Sequence, residues 1–118
     1  MGTFALTYDG VGTFRAYKNG LPTPNPTFSG FSGSAATGTL QIGEPKGGYP
    51  YTGAIDEVRM WSEQRTDAQI LASYNTEIAS MSPCLLVYWK FNQGYIGANN
   101  AGITTAIDAA TAVNHDGT

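Results

Sequence analysis

The stretch GAIDEVRMW, residues 53–61, sets two adjacent carboxylates, Asp56 and Glu57, beside Arg59 and Trp61. Two carboxyl groups within reach of one substrate atom make a hydrolytic pair. The same groups turned away from each other only hold a strand in place. In an extended chain, Ile55, Glu57, Arg59 and Trp61 fall on one face, and Asp56, Val58 and Met60 on the other. A glycosidase pair needs both carboxyls on one side of the sugar, about 5–5.5 Å apart for retention or about 6.5–9.5 Å for inversion. Neighbours on a strand cannot meet that condition. The alternation therefore predicts an architectural role, in which Asp56 and Glu57 accept from backbone or pair with Arg59 or Arg65. No E-x-D or D-x-E spacing occurs anywhere in the chain.

Upstream lies a strand meander. In TFALTY, residues 3–8, Phe4, Leu6 and Tyr8 alternate with Thr3, Ala5 and Thr7, which predicts a strand with the first set buried. Asp9-Gly10 and Asn19-Gly20 are turn dipeptides that tolerate positive φ. Between them TFRAYK, residues 13–18, alternates again. Residues 21–38 carry three prolines and three glycines, which excludes a central strand or a helix interior. TLQIG, residues 39–43, reads as a short strand, and residues 44–53 as the loop that closes it.

Downstream comes the one helix. Thr66 is an N-cap with Gln69 three residues later, a capping box. Ile70, Tyr74 and Ile78, widened by Leu71, give an apolar stripe, and Pro83 ends the helix by Ser82. LLVYWKF, residues 85–91, reads as a strand, and GITTAID in the Gly/Asn/Thr-rich tail as a further short one. Many strands, one helix and no βαβ alternation predict an all-β fold, an antiparallel β-sandwich.

The chain has 118 residues, room for one modest core, with 42% apolar and 13% charged residues. A net charge of −3, with six scattered Lys and Arg, excludes a broad grip on nucleic acid or anionic membrane. The single cysteine, Cys84, forms no intrachain disulfide and reads as a small packed hydrophobe. No apolar run approaches the ~20 residues of a membrane-spanning helix, so no membrane insertion is expected. The first residues lack signal-peptide character; if the protein is exported, its targeting segment lies outside this sequence.

Taken together, TFALTYDGVGTFRAYKNG, LQIG, YTGAIDEVRMWSEQRTDAQILASYN and LVYWKFNQG resemble laminin-G-like domains of the concanavalin A-like lectin/glucanase superfamily, of the bacterial cell-surface type. The resemblance implies that residues 1–91 form the C-terminal portion of an antiparallel jelly-roll β-sandwich of the laminin-G-like kind. Residues 92–118 are then a tail or the start of a following segment. Family members carry further strands ahead of the TYDG strand, so the resemblance implies an incomplete sandwich. Its exposed edge and face would pair with another chain, and the isolated polypeptide would be marginally stable or oligomeric. It also implies an extracellular or cell-surface recognition module that binds a glycan or a surface protein. A structural spacer in a large adhesin and a fragment of a glycoside hydrolase are the alternatives.

Candidate site residues are few. His115, the only histidine, lies in a polar tail with no evident partner, and no nucleophile elbow or phosphate-cradling loop exists, so no catalytic residue is assigned. Relatives bind calcium through rim-loop oxygens, which makes Glu44 the candidate calcium ligand, with Pro45 and Lys46 beside it as poor company. Asp9 reads as a turn former; Asp108 and Asp116 stand in unassigned structure. Tyr49 and Tyr51, in GGYPYTG, are the ligand-binding candidates, because aromatic rings on a stiff loop stack on sugars or side chains at small entropic cost. Trp61 and Trp89 read as core.

Overall fold

The computed structural model describes residues 2–32, 38, 40–43, 48–110 and 115–117. Strands β1 (Phe4–Tyr8), β2 (Phe14–Lys18) and β3 (Leu21–Phe28) form an antiparallel sheet in the order β1-β2-β3. Strands β4 (Val58–Trp61) and β5 (Leu85–Trp89) form a second antiparallel sheet. Helix α1 (Asp67–Ser73) lies between β4 and β5 in the chain. The architecture is all-β with one short helix, as the sequence predicts.

The two turns of the first sheet differ. Asn19 and Gly20, at φ 52° and 80°, make the expected two-residue turn, with Lys18 directly opposite Leu21. Asp9-Gly10 does not make one. The loop there runs through Thr13, and Asp9 closes it: Oδ1 accepts from the backbone N–H of Val11 at 2.8 Å and of Gly12 and Thr13 at 3.0 Å. The bonds from Thr13 and Val11 hold the Asp9 carboxyl below its ordinary pKa.

Strand β3 falls within residues 21–38, where the prolines exclude only a central strand or a helix interior. Its prolines fit because it is an edge strand. Pro22 sits opposite Tyr17, next to the bonded pair that closes the turn, and Pro24 and Pro26 fall where the register slips between Arg15 and Tyr17. A bulged edge leaves few ladder bonds for a proline to break.

The alternation along β1 is right, but its faces are reversed. Thr7 is 7% exposed, whereas Phe4 is 74% and Leu6 63% exposed. The covered face is the polar one because α1 docks there through polar bonds. Asp67 accepts from the Tyr17 hydroxyl at 2.7 Å and from Arg15 Nη2 at 2.9 Å, and Thr3 donates its hydroxyl to the Tyr74 carbonyl at 2.8 Å. The Tyr17 ring is buried, and burial together with the Asp67 bond pushes its hydroxyl pKa up.

Helix α1 opens with the predicted box: Thr66 Oγ1 accepts from Gln69 N, and Gln69 Oε1 from Thr66 N. It ends at Ser73, well before Ser82. The backbone groups of a further turn are taken by the second sheet. Arg59 donates to the carbonyls of Ser73 and Thr76, and Ile78 N donates to the Tyr88 hydroxyl. Ile70 of the helix is buried, as are Leu85, Val87, Tyr88 and Trp89 of β5.

Two further expectations change. Residues 40–43 carry no strand, and Thr39 lies outside the described residues. GITTAID supplies only isolated bridges: Ala106 pairs with Gly117, and Asp108 with Trp89 of β5.

Candidate functional site

The motif at residues 53–61 is not one continuous strand. Residues 54–57 are irregular and β4 begins at Val58. Glu57 has φ 56°, the left-handed region that a side chain with Cβ rarely adopts. The premise of alternation across Asp56 and Glu57 is therefore corrected. The two carboxylates still have separate employments. Asp56 Oδ1 accepts from the backbone N–H of Glu57 at 2.9 Å and so secures the bend. Glu57 Oε2 takes Arg59 Nη2 at 2.6 Å and the Tyr88 hydroxyl. Arg59 also lies over the Tyr88 ring, 5.1 Å from its centroid, while it ties down the end of the helix. The cluster is a clamp, with Glu57 Oε2 engaged by both Arg59 and Tyr88.

A second clamp holds the tail, and the sequence reading missed it. The Asp108 side chain is fully buried. Its Oδ1 accepts from Tyr88 N at 2.8 Å and Ala110 N at 2.9 Å, and its Oδ2 accepts from His115 N at 3.1 Å. Burial alone would raise its pKa, but the backbone donors outweigh that and hold the carboxyl below its ordinary value. His115 is thus not without a partner: its Nδ1 lies 3.4 Å from Asp108 and its carbonyl accepts from Trp89 Nε1 at 3.0 Å. Trp89 is core, as expected. Trp61 is half-buried under the guanidinium of Arg65, 3.9 Å from its ring, and Arg65 pairs with Glu63 at 2.6 Å. Cys84 is free and half-buried.

What remains open to a ligand lies elsewhere. Tyr49 is 84% and Tyr51 60% exposed, on the loop before the Glu57 bend. Tyr51 N donates to the Gly43 carbonyl at 2.7 Å, which anchors that loop to residues 40–43. The Tyr51 ring folds over Gly53, where an added Cβ would lie 2.6 Å from the hydroxyl oxygen. One face of that ring is therefore closed by its own chain, while Tyr49 projects into solvent. Beside the anchor runs an open groove of about 1080 Å³, lined by Leu40, Ile42, Ile55, Met60, Trp89 and Phe91 among others. Tyr49 and Tyr51 are not among the residues that line this groove; Tyr51 is tied through its backbone to Gly43, next to the lining residue Ile42.

Glu44 lies outside the described residues. Among the described residues no three His, Cys, Asp or Glu side chains gather as metal ligands. The carboxylates of Asp9 and Asp108 are turned inward onto backbone N–H groups. These residues do not fit calcium, and no role is derived through it. Also among the described residues, no helix is long and apolar enough to cross a membrane.

A family model of the laminin-G kind, described as the concanavalin A-like lectin/glucanases superfamily, matches residues 3–71. The chain belongs to this family. The match spans the first sheet, the Glu57 bend, β4 and most of α1, so the clamp lies at the end of the family segment and reaches past it to Tyr88. No curated protein and no solved structure matches the chain.

Proposed function

We propose that the chain is a non-catalytic recognition module of an exported or cell-surface protein, which binds glycans through Tyr49 and Tyr51. One observation carries the reading: the Tyr49 ring is 84% exposed on an anchored loop beside an apolar groove. Large exposed aromatics are otherwise an unfavourable use of surface, and stacking on a sugar uses them well. Family membership supports a lectin-like module at the coarse level and leaves the ligand open. The employment of Glu57 within the clamp supports the absence of hydrolysis. A glycan array with the parent chain and Tyr49→Ala tests the proposal. Binding to a defined glycan, weakened about tenfold or more by the substitution, is expected. No glycan bound across a broad array would overturn it and favour a protein ligand or a spacer.

A further inference from the structure

Gly53 leaves room that the aromatic loop uses. A Cβ added there would lie 2.6 Å from the Tyr51 hydroxyl oxygen and 2.8 Å from both Cζ and Cε1 of the ring. Those distances are shorter than a real Cβ keeps, so the hydroxyl end of Tyr51 occupies the place of a first side-chain carbon. No turn explains the glycine. Gly43 and Gly48 have φ 85° and 84°, whereas Gly53 lies outside the left-handed region. The contact joins residues two apart, and Tyr51 N is fixed to the Gly43 carbonyl at 2.7 Å. The setting of the ring is therefore decided within the loop itself.

We propose that Gly53 is a positioning residue of the glycan site: it lets Tyr51 lie down on the loop and so sets one ring face as a platform for a pyranose. The proposal rests on the glycan reading and narrows its ligand. With the hydroxyl end of Tyr51 laid against its own chain, the exposed part of the ring recognises C–H groups through its negative face. A sugar suits such a platform when one face of its ring carries no axial oxygen. β-Linked glucose and β-linked galactose meet that condition. α-Linked mannose does not, because its glycosidic oxygen is axial on one face and its 2-hydroxyl is axial on the other. The ligand class is therefore a β-linked glucose- or galactose-type pyranose, and a side chain at position 53 would spoil the platform by lifting the ring.

Calorimetric titration of the 118-residue chain with short oligosaccharides of β-linked glucose, β-linked galactose and α-linked mannose tests it. Binding of a β-linked oligosaccharide at least about tenfold tighter than the mannose one is expected. Gly53→Ala should weaken it about tenfold. The thermal midpoint should stay unchanged, because the displaced atoms are the free end of a side chain. In a Tyr51→Ala background the same substitution should cost nothing further, a non-additivity that a merely structural glycine would not show. Gly102→Ala, with open space around it and no positive φ, should leave binding as it is. A nuclear magnetic resonance spectrum gives a readout without ligand: the Gly53 α-protons should be shifted by the Tyr51 ring and return to ordinary positions in Tyr51→Ala. Binding that is lost in Tyr49→Ala but unaltered in Gly53→Ala would overturn the role of Gly53 and leave the glycan reading standing. Tightest binding of the mannose oligosaccharide, or unshifted Gly53 protons, would do the same. A parent chain that binds no glycan would take away the glycan reading and this proposal together.

Discussion

Glu57 and Arg59, two residues apart, meet through a 2.6 Å ion pair that Tyr88 completes from the neighbouring strand. The pair is mostly shielded, with 27% and 14% of the two side chains exposed. A left-handed Glu57 turns its carboxylate back along β4, and Arg59 carries the connection on to the end of α1. One short motif thereby fixes the bend, the strand start and the helix stop. Arg59→Lys should fail to replace it, because a single ammonium cannot span Glu57, Ser73 and Thr76 together. Urea unfolding should show a loss of about 2–4 kcal/mol; stability equal to the parent would contradict the clamp.

Asp108 holds the tail to β5, and the effect depends on pH. Its pKa is depressed in the folded chain, so its contribution is fully present above the unfolded carboxylate value of about 4. It is lost as pH falls through the lower folded value. Titrating Trp89 fluorescence downward from neutral pH should therefore report tail release below about pH 4. Asp108→Asn should release residues 106–110 and 115–117 already at neutral pH, with a loss of about 2 kcal/mol. Hydrogen exchange of Tyr88, Ala110 and His115 amides reads this out directly; unchanged protection would count against it.

Much of the fold could be read from the residues alone. The capping box, the Asn19-Gly20 turn, the strand alternation and an all-β class follow from local stereochemistry, which short spacing reveals. What escaped depends on tertiary partners. The polar side of β1 is the covered one because Asp67 arrives from fifty residues away to meet Tyr17. Strand β3 survives three prolines because it is an edge. The Asp108 clamp joins residues that share no motif, and a lone aspartate in a Gly- and Asn-rich tail gave no signal. Of the candidate site, the loop position of Tyr49 and Tyr51 was legible from their glycine and proline neighbours, and their exposure comes from the structure. The separate duties of Asp56 and Glu57 were also expected, though by a bend at Glu57 and not by the pleat.

Gly20 separates two costs that usually arrive together. Its φ of 80° strains any side chain, and an added Cβ would meet the Tyr74 ring at 2.6 Å. Gly10 has φ 82° with open space around it. Gly10→Ala should cost about 1 kcal/mol, the price of the left-handed conformation. Gly20→Ala should cost more, about 2–3 kcal/mol, since α1 must also shift. Equal effects on thermal unfolding would mean that α1 does not pack against this turn.

Thr66→Ala removes the cap that starts α1 and should lower stability by about 1 kcal/mol. Because α1 covers the first sheet through Asp67, the same change should increase hydrogen exchange at Tyr17. Loss confined to the helix would show that helix and sheet are uncoupled.

The account stands most directly on a double-mutant cycle in urea with Glu57→Gln, Arg59→Gln and the pair together. The clamp predicts a coupling energy of about 1–3 kcal/mol between the two positions. Additive losses, with coupling indistinguishable from zero, would mean that the Glu57 carboxylate does not serve the fold and is free for other chemistry.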